Sequence, residues 1–245
     1  WSPMRDGEAN RELSEEQVEI VMKAFNTETF SHQGKHYTLP PDVPYRGYDL
    51  KELSVVPRPL KTPVECWQPI VSANPRGLDF MVRHNIKGAV GGGAATMSSG
   101  PIQGYMDAAH RAGKNWKLGE NLTIGIHFMV GKTREAAMKA LKPLYEEHAK
   151  MFAPLGFVPG LTPTQVAAVA QRGGWDAAGV PSVEHYVNLG SWFAGSPQDL
   201  CLLLKKSEED YPGMELMSLS PPLTTPKEVM LEQFKIVAEE VFPHF

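Results

Sequence analysis

The six residues from Ser72 to Gly77, Ser-Ala-Asn-Pro-Arg-Gly, could bind a phosphate. They join a predicted strand to a predicted helix, in which Asn74 suits the N-cap and Pro75 the first helical position. The unpaired backbone N–H groups and the positive dipole end of a helix favour an anion there. Ser72 and Asn74 add side-chain donors. Arg76 adds charge, and Gly77 lets the backbone approach a ligand closely. An ordinary capped turn with a solvated Arg76 is the competing interpretation.

Two neighbouring features could contact a planar ligand. Three glycines, Gly91 to Gly93, follow the next predicted strand, but they lack both the GxGxxG spacing and the GK[ST] signature. They favour a tight turn over a nucleotide-binding loop, and close backbone approach to a flat ligand stays open. Trp67 and Gln68 lie on the strand before the Ser72 loop and could meet such a ligand. A strand tryptophan is more often part of the core.

The eight histidines predict no metal site, because no HExxH motif and no cluster of carboxylates accompanies them. His127 lies on a predicted strand and shares a face with Gly125. It could point into a barrel interior, although a hydrogen-bonded core histidine is the more common case. His32 and His36 flank the turn at Gly34 and are expected at the surface.

The two cysteines also predict no chemistry of their own. Cys66 and Cys201 are far apart and form no CxxC motif, which gives no disulfide framework and no zinc site. Neither lies near an evident base, so a thiol nucleophile is unsupported.

Composition narrows the class of protein. The chain has 245 residues, of which 42% are hydrophobic and 21% charged, with a formal charge of −4. That charge argues against nucleic acid and against a basic membrane-binding face. No apolar run approaches the roughly 18 residues of a membrane span. The length suits one (β/α)8 barrel, and a chain of this size needs no disulfide or metal for stability.

The first part of the chain predicts a helix, a short hairpin and an extended segment. Ser14 and Gln17 form a capping-box pair that begins the helix. Its buried face is predicted from the helical spacing of Val18, Val21, Met22 and Phe25. The prolines that follow, between Pro40 and Pro69, favour an ordered, extended surface segment.

From Val64 onward, strands alternate with helices. Four strand–helix units are predicted, near residues 64–84, 86–112, 122–152 and 215–242. The segment 153–213 is predicted to be an insertion that carries short helices at 164–171 and 197–209. The closing helix begins at Pro226, and its buried face is predicted to hold Met230, Phe234, Val237 and Val241.

This alternation predicts a parallel sheet with right-handed crossovers, either an open sheet or a barrel. Both folds place ligands at the carboxyl ends of the strands. The loops after Val71, Val90, Val130 and Leu219 are therefore the expected ligand-binding region.

Several segments, in the right order, resemble the bacterial luciferase-like, flavin-dependent monooxygenase family. Phe25 to Tyr37 is similar to the family's W-T-E-E-x-F-x-x-x-G-x-x-Y stretch, and Val55 to Pro63 to its V-x-P-R-P-x-Q-x-P segment. Ser72 to Phe80 resembles its A-G-S-S-P-x-G-x-x-F loop and helix. The end of the chain, Val229 to Phe245, resembles its final E-x-V-x-P-x-F helix.

The resemblance implies a TIM barrel of the luciferase-like type, an α/β fold. The 245 residues would form a single domain, the C-terminal part of the (β/α)8 barrel, with about four βα units and the 153–213 insertion. It also implies reduced FMN, supplied by a separate flavin reductase. For cofactor binding the resemblance implicates Ser72, Asn74, Arg76 and Gly77, and the predicted cofactor-binding set also includes Gln68 and Ala73. Ala73 and Asn74 replace a Gly-Ser or Ser-Ser pair of the family.

The implied activity is oxygenation of a small organic substrate by reduced FMN and O2, in a cytoplasmic enzyme that could be a homo-oligomer. The family's residues nearest the reacting flavin edge precede the position of Trp1, so the catalytic residues are expected outside these 245. A deazaflavin-dependent oxidoreductase of the same fold and a non-catalytic flavin-binding barrel are the alternatives.

Overall fold

A computed structural model describes residues 6–91, 96–155, 158, 161–169 and 178–245. Gly92 and Gly93 of the glycine run, and residues 170–171 of the predicted helix 164–171, lie outside this part. The chain divides into two compact units. The first contains residues 1–67 and 76–87, and the second contains residues 68–75 and 88–245.

The first unit begins with a long helix and two short hairpins. Helix α1 spans Gly7–Asn26. The hairpins that follow pair β1 (His32–Gln33) with β2 (Thr38–Leu39) and β3 (Pro44–Tyr45) with β4 (Tyr48–Asp49). The predicted start of α1 at Ser14 is wrong, because the side chain of Asp6 accepts a hydrogen bond from the backbone N–H of Ala9 and caps the helix one residue before Gly7. Val21, expected in the core, is exposed.

Five strands form one sheet in the order β5-β6-β7-β8, with β9 also paired to β7. They are β5 (Cys66–Pro69), β6 (Ile86–Gly91), β7 (Leu122–Val130), β8 (Trp192–Gly195) and β9 (Leu216–Ser220). β7 is parallel to β6, β8 and β9. Because β6 and β9 pair with overlapping residues of β7, they flank it on opposite edges. The α/β class and parallel sheet predicted from the alternation are confirmed.

Helices follow the strands along the chain. They are α2 (Pro75–Arg83), α3 (Thr96–Arg111), α4 (Arg134–Phe152), α5 (Pro163–Val169), α6 (Val183–Asn188), α7 (Pro197–Asp210) and α8 (Lys227–Ile236), with 3-10 turns at Ala153–Leu155 and Phe242–His244 and a π-helical turn at Val237–Val241. Ser196 and Asp199 form the capping box that begins α7.

Helices cover both faces of the sheet near the end of β7. On one face, Ile126 and Phe128 of β7 pack with Leu200 of α7 and with Val237 and Val241. On the other face, Met129 and Trp192 pack with Leu141 and Tyr145 of α4. Alternation along β7 assigns neighbouring residues to these opposite faces.

One strand–helix unit was missed by the sequence analysis. β8 lies inside the segment predicted to be an insertion, and with α7 it forms a unit of the sheet. All four residues of β8 are buried, so the strand shows no alternation of apolar and polar residues. A four-residue run without alternation gives no periodic signal.

The buried face of the closing helix also differs from the prediction. Phe234 is 44% exposed, whereas Gln233 is only 4% exposed. The Gln233 side chain accepts a hydrogen bond from the backbone N–H of Val130 at 2.6 Å and donates one to its carbonyl oxygen at 3.0 Å. An amide side chain can pair with both backbone groups at the end of β7, and phenylalanine cannot.

Candidate functional site

The loop predicted to bind phosphate lies where the sequence analysis placed it, between β5 and α2. Helix α2 begins at Pro75, and the preceding residues Ser72, Ala73 and Asn74 are exposed, as is Gln68 on β5. Their side chains are therefore accessible beside a helix N-terminus. Their role in cofactor binding remains a prediction.

Arg76 makes strong contacts within the first unit. Its guanidinium donates from Nε to Glu15 Oε1 at 3.0 Å and from Nη2 to Glu15 Oε2 at 2.9 Å, and it also pairs with Glu8. The hydrogen bonds that it donates to Glu15 and then to Glu8 raise the pKa of Arg76 above its ordinary value. Two carboxylates thus offset its charge, and a phosphate would have to compete with them for the guanidinium.

The second unit contains a partly accessible face of the sheet, which we call the open face. Its residues alternate with buried ones on β6 and β7 and with half-buried ones on β9: Ala89, Gly91, Thr123, Gly125, His127, Leu216, Ser218 and Ser220. Strand register places them side by side, with Gly91 opposite Gly125 and Gly125 opposite Ser218. Most of these side chains are small, so the sheet surface is nearly flat there. Such a surface suits a planar ligand.

His127 lies at one end of the open face, between β8 and β9. Its Nδ1 is 3.3 Å from both the carbonyl oxygen and the hydroxyl of Ser220. Its ring centroid is 4.7 Å from that of Trp192 and 4.8 Å from that of His148 on α4. Burial lowers the pKa of His127, only partly opposed by backbone hydrogen bonds at Ser220 and Pro221.

His148 completes this group of aromatic rings. Its Nδ1 is buried and has no hydrogen-bond partner among the described residues. Burial, and then the neighbouring His127, lower the pKa of His148 to about 4. His127 shares the face of Gly125, as the sequence predicts, but its contact with His148 was not predicted. The spacing of His148 with Leu141 and Leu144 along α4 was the available signal.

A second histidine cluster lies in the first unit. His32 is 7% exposed, so its predicted surface position is wrong, whereas His36 is exposed as expected. His32 Nε2 is 3.0 Å from Glu16 Oε1, and its Nδ1 is 3.3 Å from Lys23 Nζ. The Glu16 carboxylate also accepts hydrogen bonds from the backbone N–H groups of His36 and Tyr37, each at 2.9 Å.

These contacts decide the charge state of Glu16. Burial acts to raise the pKa of the carboxyl, but the hydrogen bonds from His32 and from the backbone of His36 and Tyr37 outweigh it and lower the pKa. The cluster therefore holds a buried carboxylate that fixes the hairpin against α1.

Two other kinds of site find no support in the described part of the chain. No group of three or more histidine, cysteine, aspartate or glutamate side chains is arranged to hold a metal ion. Over the same residues, no helix is both long and apolar enough to span a membrane.

Known structures share this fold. Monooxygenase RslO1 from Streptomyces bottropensis has a TM-score of 0.64 and 16% identity, over 94% of this chain and 60% of that one. A second structure is the oxygenating part of 3,6-diketocamphane monooxygenase from Pseudomonas putida, a type II Baeyer-Villiger monooxygenase in complex with FMN. It has a TM-score of 0.62 and 15% identity, over 96% of this chain and 63% of that one. The coenzyme F420-dependent tetrahydromethanopterin reductase from Methanopyrus kandleri has a TM-score of 0.57 and 15% identity, over 97% of this chain and 63% of that one.

These likenesses show that the chain shares the fold of these monooxygenases, as the sequence resemblance predicted. The chain spans about 60% of the length of these structures. No protein-family model matches the chain, and no curated protein sequence matches it. Structural likeness at such low sequence identity shows the fold alone, because one fold can support many different chemistries.

Proposed function

We propose that the chain is part of a flavin-dependent monooxygenase that uses reduced FMN and O2 to oxygenate a small organic substrate. The observation that carries this proposal is the fold shared with a monooxygenase in complex with FMN, over 96% of this chain. The flat open face gives independent support, because an isoalloxazine ring needs a surface without protruding side chains.

The loop before α2 would hold the phosphate of FMN. Ser72 and Asn74 are accessible donors next to the helix N-terminus, and Ala73 and Gly77 keep the approach unobstructed. Gln68 on β5 would meet the cofactor beyond the loop. Arg76 would contact the phosphate only after its ion pairs with Glu8 and Glu15 have broken. When bound, the reduced flavin supplies the electrons for the activation of O2. A separate flavin reductase would supply it in that form.

The phosphate site can be tested by comparing FMN with riboflavin, which lacks the phosphate. We expect the double variant Ser72→Ala/Asn74→Ala to weaken FMN binding about tenfold or more, because charge-assisted hydrogen bonds are lost. Riboflavin binding should not change, and the exposed Ser54→Ala variant serves as the matched control. Equal loss for both ligands would contradict the phosphate site, and no binding of either would contradict a flavin cofactor.

A deazaflavin-dependent oxidoreductase is the second candidate, favoured by the fold shared with a coenzyme F420-dependent reductase. The two activities differ in their use of oxygen. Consumption of O2 with reduced FMN and an organic substrate supports the monooxygenase. Oxygen-independent reduction of the deazaflavin by substrate supports the alternative.

A further inference from the structure

The contacts of His127 with Ser220 favour a proton on Nδ1. The carbonyl oxygen of Ser220 can only accept, so its 3.3 Å contact is a hydrogen bond when Nδ1 carries the proton, and the Ser220 hydroxyl, also 3.3 Å away, can accept from the same N–H. In a neutral ring the other nitrogen, Nε2, then has a lone pair and no proton. Within the described residues, Nε2 has no hydrogen-bond partner, and it is not among the buried unpaired atoms. In that tautomer Nε2 is an acceptor that is not fully buried, on a residue of the open face.

The surroundings keep this ring neutral. It lies against Trp192 and His148, with ring centroids 4.7 and 4.8 Å away. His148 is itself held uncharged by burial, and no carboxylate in the described residues pairs with either imidazole. A neutral imidazole with a fixed tautomer selects a ligand that carries an N–H or O–H group over one that lacks such a donor.

The residues next to His127 on the open face limit the shape of that ligand. A Cβ atom added to Gly125 would meet only ordinary contacts, 3.7 Å from the Val90 carbonyl oxygen and 3.9 Å from Ser218 Cβ. No side chain rises there, and Ser218 presents an exposed hydroxyl from the neighbouring strand. A flat ring could lie on this surface, with a donor directed at His127 Nε2 and a carbonyl oxygen near the Ser218 hydroxyl.

We propose that His127 Nε2 accepts a hydrogen bond from the ring N–H that lies between two carbonyl groups in flavins and deazaflavins alike. His127 is thereby a cofactor-contacting residue that selects the pyrimidinedione edge of the ring, and Ser220 fixes its tautomer. This inference rests on the proposed function, because it takes a flavin-type ring as the ligand.

The test compares lumiflavin with 3-methyl-lumiflavin, in which a methyl group replaces that N–H. Wild-type protein should bind lumiflavin about five- to tenfold more tightly, the value of one hydrogen bond in a partly buried site. The variant His127→Phe keeps the ring contacts but has no acceptor, so this preference should disappear. His36→Phe, at an exposed histidine, is the matched control and should keep the preference.

The outcomes separate the two proposals. If neither lumiflavin nor FMN binds wild-type protein, the proposed function fails. If lumiflavin binds but wild type and His127→Phe show the same preference, the role of His127 is overturned and the proposed function stands. A second measurement avoids the variant altogether, because the ¹⁵N resonance of His127 Nε2 in wild-type protein should shift on addition of lumiflavin and stay unchanged with the methylated ring.

Discussion

The two histidine clusters of this protein contrast in how completely their polar atoms are paired. In the first unit, His32 has partners at both ring nitrogens, and Glu16 accepts three hydrogen bonds. In the second unit, His127 is paired only at Nδ1, and the Nδ1 atom of His148 is buried without a partner among the described residues. Both clusters are largely buried, but only the first is complete.

Unpaired buried polar atoms cost free energy, which is why folded proteins have few of them. The complete cluster has an evident structural role, because it joins the β1–β2 hairpin to α1. The incomplete cluster packs through ring contacts with Trp192, leaves polar atoms unpaired among the described residues, and lies beside the open face. The difference supports a structural role for His32 and Glu16 and agrees with the ligand contact proposed for His127.

The largest expected effect distinguishes two glycines. A Cβ atom at Gly34 would lie 2.1 Å from Glu16 Oε1 and 2.3 Å from His32 Nε2, whereas one at Gly125 would meet nothing closer than 3.7 Å. Since Glu16 cannot move without breaking its backbone hydrogen bonds, Gly34→Ala should destabilise the protein by about 2–3 kcal/mol. Gly125→Ala should change stability little. Chemical denaturation followed by circular dichroism measures both, and equal effects would remove the contrast between the clusters.

The next prediction replaces one histidine of each cluster by phenylalanine. His32→Phe leaves the buried Glu16 carboxylate with only its backbone partners, so the melting temperature should fall. His148→Phe removes an unpaired buried nitrogen and keeps the ring contacts with Trp192 and Phe152, so the melting temperature should stay the same or rise. A marked fall for His148→Phe would show that its Nδ1 has a structural partner.

Acid should affect the two clusters in different pH ranges. The pKa of His148 falls from 6.5 to about 4 on folding, so the unfolded chain binds more protons between these values. The free energy of unfolding is therefore undiminished by this group above about pH 6.5. It decreases by about 2 kcal/mol as the pH falls toward 4, after allowing for the partial exposure of the His148 side chain. Burial also lowers the pKa of His127, which adds to the same loss.

Glu16 behaves differently because its pKa is lowered from the ordinary carboxyl value of 4.5. Its contribution is present above that value and is lost only below it. Urea denaturation across this pH range should therefore show two separate losses of stability. His148→Phe should reduce the first and leave the second. An unchanged first loss in that variant would assign it to other groups.

The smallest expected effect concerns Arg76. Its ion pairs with Glu8 and Glu15 are exposed, and exposed pairs contribute little in salt. Arg76→Gln should leave the melting temperature nearly unchanged at high ionic strength. It should also weaken FMN binding less than Ser72→Ala/Asn74→Ala does. A larger loss of FMN affinity than in the double variant would show that the guanidinium leaves its carboxylates for the phosphate.

Local patterns predicted the regular elements well wherever the signal was long or chemically specific. β7 begins at Leu122, where the unit 122–152 was predicted to begin, because nine residues of strand-forming sequence leave little ambiguity. The short helix predicted at 197–209 is α7, which the capping box at Ser196 begins. The fully buried β8 and the amide pairing of Gln233 were missed, since neither produces a periodic pattern.

The two candidate sites also differ in how far the sequence could predict them. The loop from Ser72 to Asn74 was predictable because its residues are consecutive and the helix that follows has a local start signal. The His127 cluster was not, because β7, α4, β8 and β9 contribute its members and only strand register brings them together. The burial of His32 likewise required α1 to supply Glu16.

The sequence by itself determined the βα order, the parallel α/β class and the loop at the start of α2, because these follow from periodicity, capping and turn chemistry within short segments. Only the tertiary structure decided which polar atoms are paired and which are not. Pairing depends on distances between residues that are remote along the chain, and these distances exist only after the strands have aligned. The complete Glu16–His32 cluster and the open His127 site are both consequences of that alignment.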